Sequence, residues 1–285
     1  MTSLAMKRPA LIASIFLALA CFAAEFASAE AETVKINQIP SAARKTIESQ
    51  VADGKVVEIE KDEEDGDISY IVQTTDKAGQ EREITVADDG TLLSVEVRMA
   101  ELPPEVRKAI TAQVGSGKLE SIGKTFKGSQ VSFEVEMTRA DGANRSFTVD
   151  SNGKLTSLQV SLEEIPGLVR KTIEAHVGDG KLEAVYRLTE GGETSFDAEV
   201  LRHGKTRDII VNMNGKLESV QVSIDDLSPE AQKTIRDKVG SGKIVRVDKL
   251  SELRQGVQPY EIEARKDGKV FSFAVGPKGR LLGRD

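Results

Sequence analysis

The sequence predicts an α+β protein: a tandem array of four small modules, each one helix packed on an antiparallel sheet of about four strands. Three observations predict it. The chain repeats itself: Pro40, Pro103, Pro166 and Pro229 are spaced by 63, and the pairs Gly54-Lys55, Gly117-Lys118, Gly180-Lys181 and Gly242-Lys243 by 63, 63 and 62. A fixed period of that length marks an array of small domains rather than a thin solenoid. Each period opens with apolar residues at helical spacing, and each continues with alternating apolar and polar runs punctuated by Asp-Gly or Asn-Gly turns. The expected modules are residues 33–101, 102–164, 165–226 and 227–285, behind a targeting segment at 1–29.

The second period shows the logic in order. Leu102-Pro103-Pro104-Glu105 opens a helix, because proline suits the first turn and a carboxylate favours the positive helix start. Val106, Ala109, Ile110 and Val114 share one face. Gly115 ends the helix as a cap, and Gly117-Lys118 leads the chain away. A first strand is expected from about Leu119 to Phe126. In the second, Val131, Phe133, Val135 and Met137 face one way, and Ser132, Glu134 and Glu136 the other. Asp141-Gly142 turns the chain into a strand carrying Phe147 and Val149, and Asn152-Gly153 turns it again. The other periods repeat these choices, with helix stripes Ala43/Ile47/Val51, Val169/Ile173/Val177 and Ala231/Ile235/Val239.

A short strand is expected before every helix: Val34 and Ile36, Val97 and Met99, Val160 and Leu162, Val222 and Ile224. None is expected after the fourth hairpin. Each such strand either completes its own module's sheet or closes the preceding one, and the sequence leaves both open. Joints as short as Glu163-Glu164-Ile165-Pro166 predict adjacent modules in contact, as a stiff, curved array.

Lys7 and Arg8, an apolar stretch from Leu11 to Ala20 and the small-residue site Ala27-Ser28-Ala29 read as a secretory signal, so the expected location is periplasmic or secreted. No stretch is long enough to span a bilayer as a helix. Ala18-Leu19-Ala20-Cys21 resembles a lipoprotein box with its leucine displaced by one place; a lipid anchor at Cys21 is the less favoured reading. Without residues 1–29 the 39 basic and 46 acidic residues become 37 and 45, and no cysteine remains. Disulfides, cysteine nucleophiles and thiolate metal sites are thereby excluded from the mature chain. A mildly acidic chain without Trp argues against nucleic acid and anionic membranes as partners.

Several segments invite a chemical reading. Gly115-Ser116-Gly117-Lys118 and Gly240-Ser241-Gly242-Lys243 look like half a phosphate loop, but they follow a helix instead of preceding one, and capping explains them better. The run Asp62-Glu63-Glu64-Asp65-Gly66-Asp67 lacks the glutamate a calcium loop needs at its twelfth place and reads as a hairpin tip. His176 and His203 have no counterparts in the other periods and no metal-ligand spacing. Acidic pairs recur on the polar side of the second strand: Glu134 and Glu136, Asp197 and Glu199, Glu261 and Glu263. The first period has Ile71 and Gln73 there, so the pairs read as a solvent-facing, partner-accessible sheet surface instead of a catalytic dyad.

The motif P-x-x-[VA]-x-K-[TA]-I, one residue shorter in the fourth period, is followed by [GA]-x-G-K-[LIV], by aromatic–acidic–apolar–acidic strands in the last three periods, and by N-G-K-L in the second and third. This pattern resembles the PepSY-like, or β-lactamase-inhibitor-like, exported bacterial domains. Gly167, Gln232 and the longer loop at 253–259 depart from it. The resemblance implies tandem helix-on-sheet domains in the cell envelope that restrain peptidases or bind an enzyme through a concave sheet, with no catalytic residues and no cofactor. The expected function is therefore a non-enzymatic binding protein whose partner is another exported protein, such as a peptidase or other hydrolase. The alternative is a divalent-cation sensor or buffer using the acidic sheet faces. An enzyme is the third reading.

Overall fold

A computed structural model describes residues 32–64, 67–266 and 268–283. The expected signal segment, its cleavage site and Cys21 lie outside them. The four helices form where the stripes place them: α1 (Ser41–Val51), α2 (Pro104–Val114), α3 (Gly167–Val177) and α4 (Pro229–Val239). Their inward residues Ile47, Ile110, Ile173 and Ile235 are wholly buried. The chain divides into two compact units, which the described residues fill from 32 to 159 and from 160 to 283.

In the first unit the strands are β1 (Glu32–Thr33), β2 (Lys55–Glu64), β3 (Asp67–Thr75), β4 (Glu81–Ala87), β5 (Leu92–Glu96), β6 (Lys118–Lys127), β7 (Gln130–Thr138), β8 (Asn144–Asp150) and β9 (Leu155–Gln159). Each pairs antiparallel with the next in chain order. The second unit repeats this with β10 (Lys181–Glu190), β11 (Glu193–Arg202), β12 (Lys205–Asn212), β13 (Leu217–Gln221), β14 (Lys243–Leu250), β15 (Tyr260–Lys266), β16 (Lys269–Val275) and β17 (Leu281–Leu282). Two modules in each unit thus share one sheet.

The register puts both helices of a unit on the same face of its sheet. Ile59, Val72, Ile84, Val95, Lys124, Phe133 and Val149 form one cross-strand row, and its apolar members pack under α1 and α2. Val185, Ala198, Ile209, Val220, Lys249, Tyr260 and Val275 form the matching row under α3 and α4. Among the described residues, the opposite face of each sheet carries no helix.

The pre-helix strand belongs to both sheets at once. β5 pairs with β4 through Val95–Ile84 and with β6 through Val95–Lys124, and β13 joins β12 to β14 in the same way. The ladder stops at Val97 and Val222, whose N–H groups bond Ile122 and Val247 carbonyls. Met99, Leu162 and Ile224, expected in strand, instead begin single 3-10 turns closed by Glu101, Glu164 and Asp226 side chains on the N–H of Arg98, Ser161 and Ser223. The fourth hairpin does have a closing strand, β17 on β16. It escaped sequence reading because two residues are too few to alternate.

The repeat alignment also needs one correction. Pro103 caps α2 and Pro104 is its first residue, whereas Ser228 caps α4 and Pro229 is its first residue. Ser228 is therefore the counterpart of Pro40, Pro103 and Pro166, and the spacing becomes 63, 63 and 62, as for the Gly-Lys pairs. Gln232 then aligns with Arg107 and does the same work. Arg107 donates to the carbonyls of Ala100 and Leu102, and Gln232 to those of Asp225 and Leu227.

Glycine is required where backbone meets backbone. A Cβ on Gly90, Gly153, Gly215 or Gly279 would stand 2.5–2.8 Å from the first turn of the helix below. A Cβ on Gly54, Gly117 or Gly242 would stand 2.3–2.6 Å from a carbonyl oxygen at the end of the second strand. The Gly-Lys pairs therefore mark close chain approach.

Candidate binding face

The helix-free face is shaped by a bulge in the first long strand of every module. The register shifts between Val56 and Glu58, Leu119 and Ser121, Leu182 and Ala184, and Ile244 and Arg246. An extra residue reverses which side chains face the helices. Beyond the bulge, Val247 enters the core while Arg246 and Asp248 turn to the helix-free face.

In the first unit Glu134 lies opposite Gly123 and Thr148, and Glu136 opposite Ser121 and Ser146. Ser121 Oγ donates to Glu136 Oε2 at 3.2 Å. Burial, with the Glu136 charge beside it, pushes the Glu134 carboxyl up to about 7. Burial also raises Glu136, despite its serine. Glu83, on the same face, is raised by burial although Gln73 Nε2 donates to it at 2.6 Å.

In the second unit the face holds a denser group. Arg246 lies between two carboxylates: Nη1 bonds Asp208 Oδ2, and Nε bonds Asp248 Oδ2 at 2.7 Å. Glu199 lies opposite Asp208, Glu261 opposite Asp248 and Glu263 opposite Arg246. Asp197 is 7% exposed, and its Oδ1 has no hydrogen-bond partner; the buried Asp248 Oδ1 has none either. Burial and then the Asp208 charge raise Asp197 well above the ordinary carboxylate range. The same two causes, followed by Glu183, push Glu199 up to about 7.

The six acids singled out from sequence thus fall on the helix-free faces, Glu134 and Glu136 on one, Asp197, Glu199, Glu261 and Glu263 on the other. The face is more recessed than simple alternation implies. Ile71, Thr85, Tyr186, Asp197, Asp208, Ile210, Ser219 and Arg246, all on that side, are each less than a tenth exposed. Neighbours on both flanking strands shield residues at the middle of a wide sheet. Sequence reading missed Asp208, Arg246 and Asp248. The signal was an arginine and an aspartate inside the apolar run Ile244-Val245-Arg246-Val247-Asp248, where uninterrupted alternation fails.

The other candidates have structural roles. Asp62, Glu63 and Glu64 end β2 and Asp67 begins β3, Glu64 pairing with Asp67; Asp65 and Gly66 are outside the described residues. His176 Nδ1 lies 2.7 Å from the Thr172 carbonyl in its own helix, and exposed His203 Nε2 is 3.7 Å from Asp179. Depressions of about 410 and 240 Å³ lie on the first and second units, and none of the six acids lines either.

A family described as "Putative beta-lactamase-inhibitor-like, PepSY-like" matches residues 25–94. The first module is a PepSY-like domain. The match covers α1 and β2–β4 of that module and extends into β5, and the same strand and helix order recurs in the other three. Solved structures similar to the chain include a "putative periplasmic protein from DUF2874 family" of Bacteroides vulgatus ATCC 8482, with 18% identity over 46% of this chain and 98% of that one, TM-score 0.30. A "putative calcium-regulated periplasmic protein" of Bacteroides thetaiotaomicron has 18% identity over 45% and 94%, TM-score 0.29. The Bacillus megaterium YpeB C-terminal domain has 12% identity over 67% and 100%, TM-score 0.20. No curated protein matches the chain.

Proposed function

We propose that this PepSY-like protein is a non-enzymatic binding protein of the periplasm or cell exterior, which engages another exported protein, such as a hydrolase, through its helix-free sheet faces. One observation carries the reading: in each unit both helices pack on one face, and the whole opposite face is left to side chains that alternate out of consecutive strands. Such a face presents area and charge in series, which suits several contacts of modest strength made together. A nucleophile with its own base would favour chemistry instead; the face offers carboxylates, hydroxyls and a guanidinium already bonded to two acids.

Capture from an envelope extract tests this. A face variant, Glu134→Arg with Glu261→Arg, is compared with a helix-side variant, Glu105→Arg with Glu230→Arg, circular dichroism confirming that both fold. The same partner held by the parent and the helix-side variant and lost from the face variant is expected. No partner, or equal loss from both variants, contradicts the reading. The acidic excess also favours a second reading, a divalent-cation buffer, although among the described residues no three acidic or histidine side chains stand at metal-binding geometry. Calorimetric titration with calcium decides it, absence of heat at millimolar concentration ending that reading.

A further inference from the structure

The acid group of the second unit is short of positive charge in its interior. Asp197, Glu199, Asp208 and Asp248 converge from β11, β12 and β14, and Glu261 and Glu263 flank them from β15. The Arg246 guanidinium is already committed to Asp208 and Asp248. Lys243 and Arg265 face each other at the far end of the face, beyond Glu263, and Lys181 lies at its outer margin, 3.9 Å from Glu183. Tyr186 on β10 and Ile210 on β12 are the direct cross-strand neighbours of Asp197, with Ser219 next on β13, and none of these brings a cation. Asp197, nine-tenths buried with Oδ1 unpartnered, therefore sits in a group whose carboxylates outnumber its cations, the Arg246 charge offsetting only part of their effect.

A buried carboxylate without a donor is costly and is satisfied either by a proton or by a cation. The same face shows which cation it fits: Arg246 already lies between two of its acids through directed N–H bonds. We infer that this face takes a cationic side chain, the lysine or arginine of a basic partner segment, over Asp197 and Glu199 beside Arg246. The inference rests on the binding-protein reading and adds the chemistry of the partner. Charge complementarity selects a basic segment, and the partly exposed Glu199 gives its charged head a way in. Burial and the neighbouring acids push the Glu199 carboxyl up to about 7, so below that pH the arriving cation competes with its proton, and docking strengthens as pH rises towards 7.5.

The test titrates the full-length protein into a short fluorescent peptide of alternating lysine and threonine, with an alternating glutamate–threonine peptide for comparison. Asp197→Asn and Glu199→Gln are measured singly, beside a Glu174→Gln/Glu230→Gln variant that removes charge from the exposed helix side. The expected result is binding of the lysine peptide alone, weakened about tenfold or more by either face substitution and less than twofold by the helix-side pair. Binding by the parent should tighten between pH 5.5 and 7.5. Equal weakening by all variants, equal binding of both peptides, or tighter binding at low pH overturns the inference. Binding of calcium or spermidine at these residues with the lysine peptide ignored also overturns it. Loss of the peptide interaction with face-dependent envelope capture intact removes this inference and leaves the binding-protein reading standing.

Discussion

Ala52 is strained where its three counterparts are not. It caps α1 at φ 48° and ψ −112°, a conformation that Gly115, Gly178 and Gly240 adopt at the other helix ends. A Cβ is disfavoured there, so Ala52→Gly is expected to stabilise the protein by about 1 kcal/mol. A urea midpoint that moves down would contradict the assignment. Gly90 gives the opposite case. A Cβ there would stand 2.8 Å from the Ala42 backbone, at φ +88°. Gly90→Ala should cost roughly 2 kcal/mol or more in the same assay, and a neutral result would mean that the hairpin and α1 are not in contact. Sequence marked Gly90 as a turn through the pair Asp89-Gly90, and placed Ala52 at the first position of [GA]-x-G-K-[LIV]. It could not reveal that Gly90 is held by helix contact and Ala52 by dihedral strain alone, because a small residue type records neither a tertiary neighbour nor a backbone angle.

At the scale of the strand, the two features that sequence reading resolved least are linked. The helix, the second strand and the glycine hairpins were legible because their periodicity is uninterrupted from Val131 to Met137 and from Val106 to Val114. The first strand was placed too, about Leu119 to Phe126 against Lys118–Lys127, but which of its side chains face the helices was not, because the bulge changes the inward set, as after Ile244. That bulge places Arg246 among the acids. Arg246→Met leaves Asp208 and Asp248 buried without their guanidinium and should cost about 3–5 kcal/mol. Unfolding that matches the parent at neutral pH would show the group to be more hydrated than its burial indicates. The raised carboxyls give the stability profile a direction. Glu134 and Glu199 stand near 7 against an ordinary 4.5, so the folded state holds their protons more tightly than the unfolded chain. Their contribution is fullest below about pH 4.5 and is lost as pH rises to about 7. Asp76, lowered by the Gln80 N–H, and Glu120, lowered by Lys118, act the other way, and their stabilisation is lost in acid. Thermal unfolding should therefore be most resistant near pH 5. Glu134→Gln with Glu199→Gln should flatten the decline from pH 5 to 8, which is on the order of 2 kcal/mol after allowance for solvent screening. A stability that climbs across that range would contradict the burial of these groups.

For the whole chain, repetition explains both what was legible and what was not. Four helix stripes and four sets of hairpin glycines fix the α+β modules, because each module must bury the same helix against the same strands. The sharing of β5 and β13 between neighbouring modules was not legible. A strand with partners on both sides has the same alternation as one at an edge. The sharing makes each pair of modules one surface, so a partner that docks on the helix-free side should cover residues from both. Carboxylate labelling of the full chain, with and without the captured envelope partner, tests this most directly. Partner-dependent protection of Glu134, Glu199, Glu261 and Glu263, with Glu48, Glu105, Glu174 and Glu230 on the helices labelled as before, is the predicted result. Protection confined to the helix carboxylates would contradict it.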